Sequence, residues 1–272
     1  MRILVSTDIE GVAGVFHAEQ TRPGNPEYER ARLWMTQEAN AAALGAFEGG
    51  ASEVLVNDSH GNFRNLLPDH LDARVRCIQG KPRYLGMMAG LEQGCDAVFM
   101  IGYHSRAQGR GILAHTISSF AFARVVINDL ELGEPGLYAA LAGEYGVPVA
   151  LGTGDNRFIE ENTDLLATAS WFQTKEAFGL NSGCSLTPAA AQAAIRLAAK
   201  QAMPRIASLK PFVIAPPINC VLTVTSSGMA DLFCQLPSIE RVSGVVVRFN
   251  TDKVESAVRT LNSLSAMSTM LR

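Results

Sequence analysis

With 272 residues, 47% of them hydrophobic, the chain can bury a substantial core as one large domain or a domain plus a smaller one. Its formal net charge is −3 with lysines and arginines scattered along the chain, so composition offers no electrostatic footprint for nucleic acid or an anionic membrane. The first residues enter a strand without a signal-peptide pattern, and no apolar run is long enough to span a bilayer, which points to a cytoplasmic protein.

Arg2 to Thr7 reads as a short buried strand, and Asp8-Ile9-Glu10-Gly11 follows where it should end. In extended backbone Asp8 and Glu10 project to the same side, where two carboxylates repel unless a cation or a proton neutralises them. Gly11 permits a tight turn. Asn25-Pro26-Glu27 supplies a cap, a proline at the first helical position and an acid in the first turn of a helix running to Gly49-Gly50. Its alanines suit close packing on a sheet. Glu53 to Asn57 is the second strand, ending at Asp58-Ser59-His60-Gly61, and the strand-helix-strand order implies a parallel pair with a right-handed crossover.

A third strand is expected at Arg74 to Ile78, then a helix from Arg83 to Gln93 closed by Gly94. Ala97 to Tyr103 is the fourth strand, ending at His104, and a glycine-bearing loop follows to His115. A strand from Ala123 to Asn128 leads to a helix near Glu134-Pro135, and Pro148 to Leu151 is one more strand, ending in Gly152-Thr153-Gly154-Asp155. The alternation predicts an α/β fold, a mostly parallel sheet with helices on both faces. Beyond Ser185 a helix from Thr187-Pro188, a proline-bearing linker from Lys210 to Pro217, strands Val221 to Thr225 and Val242 to Phe249, a short helix at Met229 to Cys234 and a last helix from Lys253 suggest a smaller α+β layer. The expected division is a catalytic domain over 1–208 and a C-terminal domain over 209–272. The five cysteines are odd in number and widely spaced, and read as free, buried thiols.

Ligands of open parallel sheets bind beyond the carboxyl ends of the strands. Asp8, Glu10, His60, His104 and Glu134 all follow predicted strands at that edge, whereas His17 and His70 follow none and read as structural. Three carboxylates and two imidazoles suit a borderline divalent metal such as Zn²⁺, with Mn²⁺ or Co²⁺ as alternatives. Five ligands exceed what one catalytic zinc uses, and they fit two metals about 3.5–4 Å apart sharing a carboxylate. Taken singly, each residue has an ordinary structural role open to it, such as a loop histidine or an acid complementing a helix dipole. Gly152-Thr153-Gly154 lacks the lysine of a phosphate-binding loop and the full dinucleotide pattern.

At these positions the sequence resembles the D-aminopeptidase family known from the bacterial dipeptide-transport operon, the zinc peptidases of family M55. The similarity rests on Ser6-Thr7-Asp8-Ile9-Glu10-Gly11, Tyr28-Glu29-Arg30, Met35-Thr36, Glu38-Ala39-Asn40, Val54 to His60, Gly102-Tyr103-His104, His115, Ile127-Asn128-Asp129 and Gly133-Glu134. It covers nearly the whole chain and weakens over the last sixty or so residues. The resemblance implies that Asp8 bridges two zinc ions, that Glu10, His60, His104 and Glu134 complete their shells, and that His115 is the catalytic residue. It implies an aminopeptidase acting through a zinc-activated water on short peptides with an N-terminal D-residue, in a large ring-like homo-oligomer, a decamer in the form expected. Two alternatives stay open: another di-metal hydrolase, an amidohydrolase or phosphoesterase, or a non-catalytic, metal-stabilised peptide-binding oligomer.

Overall fold

The computed structural model describes residues 1–272. The chain begins with β1 (Arg2–Thr7), α1 (Pro26–Glu48), β2 (Glu53–Asp58), β3 (Arg76–Ile78) and β4 (Ala97–Ile101). A hairpin, β5 (Phe122–Ile127) and β6 (Leu130–Glu131), leads into α2 (Glu134–Glu144). Then come β7 (Val149–Asp155), α3 (Asn156–Asn162), β8 (Ser170–Gly179), β9 (Ser182–Ser185) and α4 (Pro188–Ala202). The chain ends with β10 (Ile218–Val224), α5 (Ser227–Phe233), β11 (Glu240–Arg241), β12 (Val246–Thr251) and α6 (Val254–Ser268).

The central sheet has the order β3-β2-β1-β4-β7-β8-β9, parallel except for β9. Alternation of side chains along β1 divides the core: Ile3 and Val5 join the alanine faces of α1 and α4, while Leu4 joins Leu137 of α2 and Leu261 of α6. Helices therefore cover both faces, as parallel strands buried on both sides require. Asn25 caps α1 by accepting from the Tyr28 N–H, with Pro26 in the first turn, as the sequence predicts. The alanines of α1 do more than meet the sheet. They admit α4 so closely that a Cβ on Gly45 would lie 2.2 Å from the Arg196 carbonyl oxygen.

A second sheet, antiparallel, has the order β11-β12-β10-β5-β6. The sequence reading puts the Ala123 to Asn128 strand in the parallel sheet, but β5 pairs with β10, Cys220 opposite Ile127. Residues 122–131 and the last sixty residues thus build one sheet together, and a single core cluster joins Val125 and Leu222 to Val98 and Met100. The expected helix from Arg83 to Gln93 is replaced by two short 3-10 turns, Gly86–Met88 and Leu91–Gln93. Gly86 and Gly90 have φ of 53° and 114°, left-handed values that no α-helix contains, and a Cβ on Gly90 would lie 2.8 Å from Ile78 Cδ1. The expected strand from Val242 forms later, at Val246, and β7 runs on through Gly152-Thr153-Gly154, so those glycines are strand and not loop. The β8–β9 hairpin has no counterpart in the sequence reading. All five cysteines are free, but only Cys95 and Cys220 are buried; Cys184 is exposed. No helix is long and apolar enough to cross a membrane.

Candidate metal centre

Strand order sets Asp8 between two histidines. β1 lies between β2 and β4, so the residue after β1 is flanked by the segments that follow its neighbours. Asp8 Oδ1 is 3.2 Å from His60 Nδ1, and Asp8 Oδ2 is 3.3 Å from His104 Nε2. Glu10 Oε2 is 3.1 Å from the same His60 nitrogen, and Glu134 Oε2 is 3.6 Å from the same His104 nitrogen. The five residues predicted from sequence therefore meet, four of them fully buried and His60 nearly so.

Two of them arrive by routes the sequence does not reveal. Glu10 is in a turn, where the Val12 N–H donates to the Ile9 carbonyl, and it is the turn, not a strand's alternation, that returns it to Asp8. Gly11 is needed there for close approach, since a Cβ would lie 1.9 Å from the Tyr103 carbonyl oxygen. Two bonds, Asp8 N–H to Ile101 O and Gly11 N–H to Gly102 O, both 2.8 Å, tie this turn to the end of β4 that delivers His104. Glu134 comes from the second sheet, on the first residue of α2 after the β5–β6 hairpin, and Pro135 fits the first helical turn without displacing it.

Hydrogen bonds fix how each imidazole faces the centre. His60 Nε2 is 2.9 Å from the Thr21 carbonyl, His104 Nδ1 is 2.9 Å from that of Ser105, and His115 Nδ1 is 2.9 Å from that of Leu113. A carbonyl only accepts, so each of those nitrogens carries its proton, and the opposite nitrogen turns a lone pair inward. Glu10 Oε2 and His104 Nε2 are buried with no hydrogen-bond partner. Buried polar atoms without partners cost about 1–3 kcal/mol each, more when charged. A divalent cation among them removes that cost, and the mixed oxygen and nitrogen donors suit zinc.

With protons as the only cations, burial raises Asp8, reinforced by the neighbouring Glu10 charge. Burial opposes ionisation at Glu10 and Glu134 too, but His60 and His104 override it and hold both carboxyls low. Burial would lower His60 and His104, yet Glu10 and Asp8 lift the first and Glu134 and Asp8 the second well above the usual imidazole range. The carboxylates thus concentrate positive charge at this point, and a metal competes with protons for it.

His115 stacks on His104, ring centroids 4.1 Å apart and planes 11° from parallel. Its Nε2 is 3.7 Å from Glu134 Oε1, the oxygen that already accepts the Ile117 N–H at 2.5 Å. With 19% of its side chain exposed, against 13% for His60 and 1% for His104, it is the most open to solvent of the three imidazoles. Left-handed Leu113 and Ile117, at φ 53° and 59°, bracket its loop, which Asp155 anchors by accepting the Ile112 N–H while capping α3 through Phe158.

Sequence reasoning misses the frame around Glu10. Lys175 of β8 is buried, and its ammonium donates to the carbonyls of Glu10, Val12 and Val15. Thr174 donates its hydroxyl to the Gly11 carbonyl, and Glu38 of α1 accepts the Ala13 N–H. A lone lysine in an unassigned stretch gives no periodic signal that could have revealed this. His17 caps a 3-10 turn and His70 is solvent-facing, both away from the centre.

A family model described as D-aminopeptidase, Peptidase_M55, matches residues 1–263. The chain is 32% identical over 246 residues to a D-aminopeptidase of Bacillus subtilis (strain 168), covering 90% of this chain and 89% of the relative. Among solved structures it matches one described as the Zn-dependent D-aminopeptidase DppA from Bacillus subtilis, a self-compartmentalizing protease. The TM-score is 0.95 at 29% identity, over 99% of this chain and 98% of that one. With a family match over nearly its whole length, the chain belongs to the D-aminopeptidase family, Peptidase_M55.

Proposed function

We propose that this protein is a zinc-dependent aminopeptidase that removes N-terminal D-residues from short peptides, with two zinc ions in each subunit. The observation that carries the reading is Asp8, whose two oxygens face separate imidazoles 3.2 and 3.3 Å away. It divides the donors into two half-sites, Asp8 Oδ1 with Glu10 and His60, and Asp8 Oδ2 with His104 and Glu134. Three carboxylates against two divalent cations leave a net charge of about +1, which suits a centre that receives an anionic nucleophile. Zinc and the D-residue are supported by the names of the relatives, and assembly into a homo-oligomer by the description of the neighbour as self-compartmentalizing; a decameric ring is the form we propose for it.

Zinc held there supplies Lewis acidity for the scissile carbonyl and brings the acidity of water towards neutral pH. The chain's own residues supply position and proton handling. The buried carboxylates and the Thr21 and Ser105 carbonyls orient His60 and His104, so neither imidazole has to turn during the reaction. His115 keeps its Nδ1 proton on the Leu113 carbonyl, which leaves Nε2 free to take a proton from the attacking water and deliver it to the leaving amine. Stacking on His104 limits its motion to the plane facing the centre.

The test is metal analysis of the purified protein coupled to hydrolysis of matched D- and L-dipeptides and a phosphate ester. Zinc near two per chain with cleavage of the D-dipeptide supports the reading. Bound metal with phosphate-ester cleavage alone would transfer the chain to another di-metal hydrolase class, and bound metal with no turnover to a binding role.

A further inference from the structure

β2 ends at Asp58, level with Thr7 of β1, so a further carboxylate stands at the sheet edge beside the one that carries Asp8. Asp58 is spent on its own loop. Its Oδ2 accepts the main-chain N–H groups of Asn65 and Leu66 at 2.5 and 2.8 Å, and its Oδ1 accepts the Asn65 side-chain amide at 2.7 Å. A buried carboxylate holding three such donors is a firm anchor, and the loop that leaves β2 closes back on the strand it came from.

Asn65 joins this anchor to His60. Its side-chain NH2 donates one hydrogen to Asp58 and the other to the His60 carbonyl, each at 2.7 Å. Both partners only accept, so the amide has one orientation, with Oδ1 turned to the Tyr28 hydroxyl of α1, which donates to it at 2.8 Å. The Asn65 main-chain carbonyl accepts from Arg32 Nε, one turn further along α1, at 2.6 Å. Asn65 and Tyr28 are both buried. Aspartate at position 65 would set a second anion against Asp58, and leucine would strand the Tyr28 hydroxyl. The His60 carbonyl is thus held by Asn65 and by the Phe63 N–H at 2.8 Å, while Nε2 lies 2.9 Å from the Thr21 carbonyl. Backbone and ring are each fixed, which leaves Nδ1 facing Asp8 and Glu10. The partners of Asn65 lie in α1 and at residues 58 and 60, and none belongs to the segments that bring in His104 or Glu134.

We propose that Asn65 is the positioning residue of one half-site: by clamping the His60 carbonyl to Asp58 and to Tyr28 of α1, it sets where the His60 imidazole meets the metal. The proposal rests on the two-metal reading, and it makes the two ions unequal in what supports them. The ion between Asp8 Oδ1, Glu10 and His60 depends on Asn65, whereas the ion between Asp8 Oδ2, His104 and Glu134 does not.

The experiment withdraws zinc from the loaded full chain with a competing chelator, and follows the visible absorption of the cobalt-loaded form, which reports the donors around each ion. Asn65→Ala is expected to weaken one ion about 10- to 100-fold, with a changed cobalt spectrum, and to leave the other at wild-type affinity. Tyr28→Phe removes one hydroxyl and should weaken the same ion about 2- to 10-fold, which keeps the test open if Asn65→Ala does not fold. In a His60→Ala background neither change should alter the ion that remains, since both act through His60. Wild-type affinity for both ions in the variants that fold overturns the proposal, as does equal weakening of both, which a merely loosened fold would give. A wild type that holds one ion fails the two-metal reading separately; the clamp then stands if Asn65→Ala weakens that ion and falls if it does not. A wild type that holds none overturns both.

Discussion

The Lys175 ammonium donates to the main-chain carbonyl of Glu10 at 2.5 Å, from a strand that lies three places across the sheet from the one preceding Glu10. The same ammonium reaches the carbonyls of Val12 and Val15, so one buried charge holds a six-residue segment whose first member, Glu10, is a carboxylate of the candidate centre. Lys175→Met keeps most of the volume and removes all three donors. It should weaken zinc binding about 10- to 100-fold, as loss of a supporting partner does. Metal-free protein should lose about 3 kcal/mol of stability, because three buried carbonyls go unpaired. Titration with a competing chelator and urea unfolding of the metal-free protein measure the two effects, and unchanged zinc affinity would show that the turn holds Glu10 unaided.

His115 shares a stacked face with His104 but meets only the Glu134 oxygen already taken by Ile117. It is therefore expected to move protons and not to hold metal. His115→Ala should keep the wild-type zinc content and lose about 10²- to 10⁴-fold in kcat. Loss of zinc in this variant would instead make it a ligand of the half-site formed by His104 and Glu134, whose donor atoms lie within 4.8 Å of its own.

The strands that carry Asp8, His60 and His104 were legible because each is a short apolar run that stops at a polar residue, and neighbouring parallel strands end level. Thr7 pairs with both Asp58 and Ile101, so three strand ends become one site. Glu134 was found at a strand-to-helix junction, although its strand belongs to the other sheet, since the pairing of β5 with β10 spans about a hundred residues and leaves no local pattern. The helix expected at Arg83 to Gln93 has helical composition, and it is the tertiary demand at Gly90, pressed against Ile78 and Leu4, that breaks it. Lys175 acts through three contacts to carbonyls more than 150 residues away in sequence, at separations of 165, 163 and 160, which neither periodicity nor spacing encodes.

Asp8 faces both imidazoles through separate oxygens, and its Oδ1 also accepts the Ile9 N–H at 2.9 Å, which locks the carboxylate plane. Asp8→Asn replaces one of those oxygens with an amide that cannot ligate. Zinc content should fall by about half or more, with hydrolysis lost, if one carboxylate serves two ions. Unchanged zinc and turnover in the variant would remove Asp8 from the centre. Retention of the fold, checked by circular dichroism, separates this from misfolding.

Glu38 should make stability depend on pH in a direction opposite to most carboxylates. It is fully buried, with Oε1 on the Ala13 N–H and Oε2 without a partner, and burial pushes its carboxyl up to about 7 from 4.5, partly offset by the Ala13 bond and the Lys175 charge. Between those two values the folded chain keeps a proton that the unfolded chain has released. The contribution is thus fully present below pH 4.5 and is lost as pH rises through 7. Glu38→Gln retains an acceptor for Ala13 and abolishes the titration. Its stability relative to wild type should climb by about 3 kcal/mol between pH 4.5 and 7 and level off above, as the pKa difference requires. Urea unfolding of the two metal-free proteins across that range measures it, and a constant difference would mean that Glu38 ionises normally, with Lys175 as its counter-charge.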